Sequence, residues 1–191
     1  MKRIVCSFLA VLGAAAPASA TGEILGIITP FDRQRLDAYE TTRAAALSEA
    51  RAGGAAADVA AVESLLSAPS VDFEGLAMTG EWQCRTIKLG KNLPLVVYGW
   101  FRCRVTDDGS GWQLEKLSGS QKTKGRFFDD GPQRLIYLGV GYVNAETPPA
   151  YGAGSQANQV GYAFRTGPAA WRIEFPEPRF ESKLDILEFR R

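Results

Sequence analysis

The spacing of apolar residues changes character twice along the chain. Residues 4–16 form one apolar run, residues 29–66 carry apolar side chains every three or four positions, and beyond residue 76 apolar and polar positions alternate in short blocks broken by Gly, Pro and Asp. The middle pattern predicts two helices. Thr29 can cap the first, Pro30 suits its first turn, and Asp32 adds negative charge at the positive end of the helix dipole. Leu36, Tyr39, Leu47 and Ala50 share its apolar face until Gly53-Gly54 stops it. The second helix runs over 55–66, with Val59, Val62 and Leu66 on one stripe, and ends before Ser67-Ala68-Pro69. Small residues and a Gly joint make the two an antiparallel hairpin.

The alternating region predicts eight strands, at 80–89, 95–106, 111–117, 122–128, 133–143, 158–165, 170–176 and 183–189. That number and spacing suit an antiparallel barrel or a sandwich. The longest gap, Asn144 to Ala157, contains Pro148-Pro149 and reads as a surface loop. The expected fold class is therefore α+β: an N-terminal helical hairpin over 21–70, then an antiparallel, roughly eight-stranded barrel-like domain over 71–191.

The N-terminal run has a different meaning. Met1-Lys2-Arg3, an apolar segment too short to span a bilayer, and Ala18-Ser19-Ala20 are the three parts of a cleavable export signal over residues 1–20. Removal of Lys2 and Arg3 changes 22 basic against 21 acidic residues to 20 against 21, so net charge offers no general attraction to nucleic acid. Removal of Cys6 leaves two cysteines of three. In an oxidising periplasm, Cys84 and Cys103 then form the one possible disulfide. The chain has no histidine, which excludes ordinary Ser-His-Asp and Cys-His sites and the commonest metal ligand.

The cysteines also suggest a register. Cys84 facing Cys103 places a reversal between Leu93 and Pro94, within a segment rich in turn formers. Asp108-Gly109 marks the next turn as a two-residue hairpin. These registers put Trp82, Val105 and Trp112, then Cys84, Cys103 and Leu114, then Thr86, Phe101 and Lys116 in rows on the core face. On the outer face Arg85 lies opposite Arg102, an unfavourable pair unless Glu115 or an external anion lies between them. Ile87, Tyr98, Trp100 and Leu117 form an apolar outer end that the helical hairpin should cover.

Nine basic residues against three acidic ones between Arg85 and Arg126 make Arg85, Arg102, Arg104 and Lys122 the candidate anion-binding residues. Ser120 near Lys122, or the carboxylates of Asp129 and Asp130, are the available hydrolytic groups. No Ser-x-x-Lys pair opens a helix, no Gly-x-Ser-x-Gly elbow occurs, and Asp129-Asp130-Gly131 lacks the further ligands of a calcium loop. No catalytic residue, metal site or cofactor is assigned.

Several segments resemble the bacterial family called domain of unknown function 4893, an exported and mostly alphaproteobacterial group. They are Cys84-Arg85-Thr86-Ile87-Lys88-Leu89-Gly90, Tyr98 to Cys103, Lys116 to Gln121, Tyr137-Leu138-Gly139, Pro176-Glu177-Pro178, and Lys183-Leu184-Asp185-Ile186-Leu187-Glu188, with the Thr29 to Arg51 helix. The likeness covers nearly all of the exported chain and implies an envelope location, but it supplies no activity. At Lys122 the family pattern has Arg, the better bidentate anion ligand. The sequence thus leads to a non-enzymatic periplasmic binding or envelope-maintenance module, acting on an anionic envelope component or small ligand through the barrel mouth or the arginine face. A hydrolase and a secreted-protease inhibitor are the alternatives.

Overall fold

The helical start forms as its sequence dictates: Thr29 Oγ1 accepts the Asp32 N–H at 3.1 Å and Pro30 occupies the first helical turn. The computed structural model describes residues 21–144 and 146–191, so the leader read at residues 1–20 lies outside the described residues. Among the described residues four helices come first: α1 (Thr21–Ile27), α2 (Pro30–Asp37), α3 (Tyr39–Gly53) and α4 (Ala56–Ser67). The single helix expected from Thr29 to Gly53 is broken at Ala38, whose ψ of 0° ends α2. The break lets two buried side chains anchor at different places: Arg35 Nε donates to Pro176 O at 3.1 Å, and Tyr39 Oη donates to Glu174 at 2.9 Å.

Nine strands follow: β1 (Gly80–Leu89), β2 (Leu95–Val97), β3 (Phe101–Asp107), β4 (Trp112–Lys116), β5 (Gln121–Asp129), β6 (Leu135–Val143), β7 (Asn158–Gly167), β8 (Ala170–Pro176) and β9 (Leu184–Arg190). Strands β1 and β3 to β9 make a closed eight-stranded antiparallel barrel, sealed by the pairing of β1 with β9, and β2 is one extra strand beside β1. The expected α+β class with an eight-stranded barrel is the observed one. The strand expected over 95–106 divides because three residues, Tyr98 to Trp100, lie opposite only Arg85 and Thr86, a bulge that shifts the pairing by one.

That bulge and a five-residue turn correct the expected register. Cys84 lies opposite Phe101, and Cys103 lies opposite Trp82. The cysteines are diagonal neighbours, and they form the disulfide with Cα atoms 5.9 Å apart. The turn between β3 and β4 is wider than expected. Asp107 faces Trp112 across a four-residue loop, because Asp107 and Asp108 carboxylates accept backbone N–H groups of Gly109 and Ser110. Both corrections are slips of two residues, so no side chain changes face. Of the nine residues in the expected core rows, Trp82, Cys84, Cys103, Val105, Leu114 and Lys116 are buried, and Thr86, Phe101 and Trp112 are half-buried.

The outer rows change more. Arg85 faces Glu188 on β9 and hydrogen-bonds it, whereas Arg102 faces Gln83. The expected Arg85–Arg102 repulsion does not arise. Glu115 contacts Lys124 instead of bridging the arginines. The expected apolar outer patch is likewise dispersed: Ile87 is buried under helices, Trp100 lies beneath the Arg85 and Arg190 guanidinium groups, and Tyr98 stays exposed.

The lumen is filled at one end and open at the other. Phe73, Leu76 and Met78, from the segment before β1, pack with Trp82, Phe127, Tyr137, Trp171 and Phe189 and plug the first end. Tyr137 lies along Gly125 and Gly139, where a Cβ would come within 2.7 Å of its ring, and its hydroxyl meets Thr123 Oγ1 at 2.7 Å. Helices α3 and α4 cover the outside of β1 and β9, with Ala46, Leu47, Ala50, Val62 and Leu66 against Ile87, Leu89, Leu184 and Ile186.

Both cysteines are fully buried, so the disulfide should resist reductant until the chain unfolds. Closing a separation of 19 residues contributes about 3 kcal/mol by loop entropy. Guanidinium unfolding with and without dithiothreitol should therefore differ by about that amount; equal midpoints would remove the disulfide from the stability account.

Candidate functional site

At the open end, strand parity brings polar side chains onto the wall that is apolar lower down. Lys88 of β1 and Asp185 of β9 face each other in register, and Lys116 of β4 and Gln121 of β5 complete an arc around the mouth. A cleft of about 320 Å³ opens here, lined by Lys88, Gln121, Lys122, Gln159, Phe175 and Asp185 among others. A smaller pocket of about 50 Å³ adjoins it and reaches Thr86, Lys116 and Thr123. Phe175 forms part of the floor and packs edge-on against Tyr137. Tyr142, Val143, Ala157, Pro178 and Phe180 give the cleft an apolar outer wall.

Two lysines are buried at this end. Lys88 Nζ donates to Gln121 Oε1 at 3.0 Å and to the Glu181 carboxylate. Lys116, only 5% exposed, donates to Gln121 O at 2.9 Å and lies 4.3 Å from the Phe101 ring centroid. Among the described residues, Lys116 makes no ion pair. Burial, reinforced by the positive charge of Lys88, pulls its ammonium down to about 8, with Asp185 opposing weakly. Asp185 moves the other way: loss of solvent pushes its carboxyl up to about 6, despite a hydrogen bond from Ser182. The contact with Lys88 holds Glu181 below the usual carboxylate range. Gln159 Oε1 is buried with no hydrogen-bond partner among the described residues.

Of the four candidate anion ligands, only Lys122 lies at this cleft. Arg85 is paired with Glu188, Arg104 with Glu81 at 2.6 Å, and Arg102 is an exposed outer-face residue with no ion pair among the described residues. The hydrolytic groups do not converge. Ser120 is exposed and, among the described residues, hydrogen-bonds no lysine through its side chain, although it shares a 120 Å³ pocket with Lys116. Asp130 is engaged by Arg134 at 2.6 Å. Among the described residues no cluster of three His, Cys, Asp or Glu is placed to hold a metal ion, and no helix is long and apolar enough to cross a membrane.

Lys88, Lys116, Gln121, Glu181 and Asp185 had no place in the sequence-based site. Lys116 did stand out in one respect, as a lysine in phase with Cys103 and Leu114 on the core face. Fold and cleft together define a small barrel protein, plugged by aromatic side chains at one end and lined by lysines at the other. Residues 25–189 match the family model described as Domain of unknown function (DUF4893), and the chain belongs to that family. No curated protein and no solved structure matches it.

Opposite pH effects follow from the two displaced groups. The folded-state pKa of Asp185 lies above its unfolded value, so its contribution to stability is complete below pH 4 and is lost as pH rises through 6. Asp185→Asn should therefore exceed the parent in unfolding free energy at pH 7, by at most about 3 kcal/mol, and converge with it below pH 4. The folded-state pKa of Lys116 lies below its unfolded value, so Lys116→Met should be the more stable form at pH 7 and lose that advantage between pH 8 and 10.5. Urea titrations across pH give both curves; pH-independent differences would rule out the assigned titrations.

Proposed function

We propose that the exported chain is a periplasmic binding module whose barrel mouth holds a small amphipathic anion. The observation that carries the proposal is Lys116, a buried ammonium with no carboxylate partner among the described residues, lining a pocket that adjoins an open cleft. Leaving an uncompensated charge inside a protein costs several kcal/mol, and an incoming anion relieves that cost. The apolar outer wall suits a short hydrocarbon or aromatic body, and the mixed polar and apolar lining is typical of small-molecule sites. The export signal and a fully buried disulfide support the periplasmic location. The hydrolase reading has less support, because Ser120 has no activating partner within hydrogen-bond reach among the described residues. The inhibitor reading rests on fold analogy alone.

Native mass spectrometry of protein purified from a bacterial periplasm should show loss of residues 1–20, the two-dalton deficit of the disulfide, and a retained small molecule. In calorimetric titrations decyl sulfate and decanoate should bind, decyltrimethylammonium should not, and Lys116→Met should weaken the anions at least tenfold. Binding of neither anion, or equal binding of the cation, would overturn the proposal.

A further inference from the structure

The mouth holds two ammonium groups joined through one residue. Lys88 Nζ bonds the side-chain oxygen of Gln121 at 3.0 Å, and Lys116 Nζ bonds the backbone oxygen of the same residue at 2.9 Å. Lys122 lines both adjoining pockets and adds a third cation. The carboxylates facing them are Asp185 from β9, Glu181 from the segment before β9 and Glu146 at the rim, with Arg35 and Arg179 on the far wall.

Glu181 is unlike the other carboxylates. It satisfies Lys88, yet its side chain is 47% exposed. Its backbone sits at a φ of +43°, and Glu177, which starts the same segment, is at +47°. Left-handed backbone at a residue other than glycine carries a cost, and a half-exposed carboxylate can exchange its contact with Lys88 for water by side-chain rotation alone. Phe180, between them, is 67% exposed and lines the cleft. Glu181 therefore has the position and chemistry of a resident occupant standing where a ligand's oxyanion would meet Lys88. Among the described residues Lys116 makes no ion pair even with that occupant in place.

We propose that the head group recognised at this mouth is a phosphate monoester dianion on a short apolar body, held between Lys88 and Lys116 after displacing the Glu181 carboxylate. This rests on the binding reading above and narrows it. One carboxylate neutralises one ammonium. A phosphate monoester, dianionic above pH 6, matches two and presents three acceptor oxygens, whereas a sulfate monoester of the same shape stays singly charged. Compensation by a dianion also restores the proton to Lys116, so binding near pH 8 takes up protons.

Decyl phosphate and decyl sulfate share their tail and tetrahedral head and differ in charge. At pH 8, decyl phosphate should bind the full exported chain at least tenfold more tightly than decyl sulfate, with proton uptake visible as a buffer-dependent heat. Lys116→Met should reduce the ratio to near one, and Glu181→Gln should tighten decyl phosphate. Inorganic phosphate should compete only weakly for want of a tail. Equal affinity for the two decyl esters in the parent protein overturns the phosphate assignment while leaving the binding reading standing; failure of both esters to bind overturns both. Weaker decyl phosphate binding by Glu181→Gln contradicts the displacement, and inorganic phosphate binding as tightly as decyl phosphate contradicts the amphiphile.

Discussion

The pairing of β1 with β9 turns an open sheet into a barrel, and its register decides which side chains become lumen and which become the seat of the helices. Ile87 against Ile186 and Leu89 against Leu184 point outward beneath α3 and α4, while Lys88 against Asp185 points into the mouth. Four buried branched side chains contribute on the order of 2 kcal/mol each. A slip of one residue would exchange the two sets, placing charges beneath the helices and aliphatic groups in the mouth. The helical cover and the polar mouth are therefore two consequences of one register.

This dependence explains what could be read from the sequence. Period and turn residues located α4, the stretch that α2 and α3 share and the eight barrel strands, but not α1 or the break at Ala38, and the caps at Thr29 and Gly53-Gly54 appear where expected. The local registers were each two residues off, because a bulge at Tyr98 to Trp100 and a turn widened by Asp107 and Asp108 cannot be counted from dipeptide signals. Parity survived, and so the core face was correct. The partner of Arg85 was not legible. Glu188 lies far along the chain, and only barrel closure brings it alongside. A like-charge pair inferred from two strands was resolved by a third.

The mouth was harder to read for a related reason. Near closure both faces of β1 and β9 are covered, one by helices and one by the lumen, so Lys88 among Ile87 and Leu89, or Asp185 between Leu184 and Ile186, breaks the usual alternation of a half-buried strand. Charged residues within such runs read as errors in pattern when they are groups facing a cleft. Glu181 lies in a loop whose path is set by long-range contacts, and no local motif marks it.

Elsewhere this protein handles buried charge by supplying partners from its own chain. Asp32, fully buried, accepts from Arg35, Thr29, Tyr151 and Asn158 at 2.7 to 3.1 Å. Glu174, also fully buried, accepts from Tyr39, Arg43 and Arg172 at 2.7 to 2.9 Å, and its charge together with burial raises the Tyr39 phenol well above its ordinary value. Both networks tie helices to the barrel wall. Among the described residues Lys116 makes no ion pair although it is comparably buried, and Asp185, which faces Lys88 in register, makes none either, its carboxyl pKa pushed up by burial. Both of these groups line the end where the cleft opens. A purely structural barrel would gain stability from an apolar residue at position 116, as the packed opposite end illustrates. Retaining a costly ammonium there is the physical ground for reading the mouth as a site completed by a ligand.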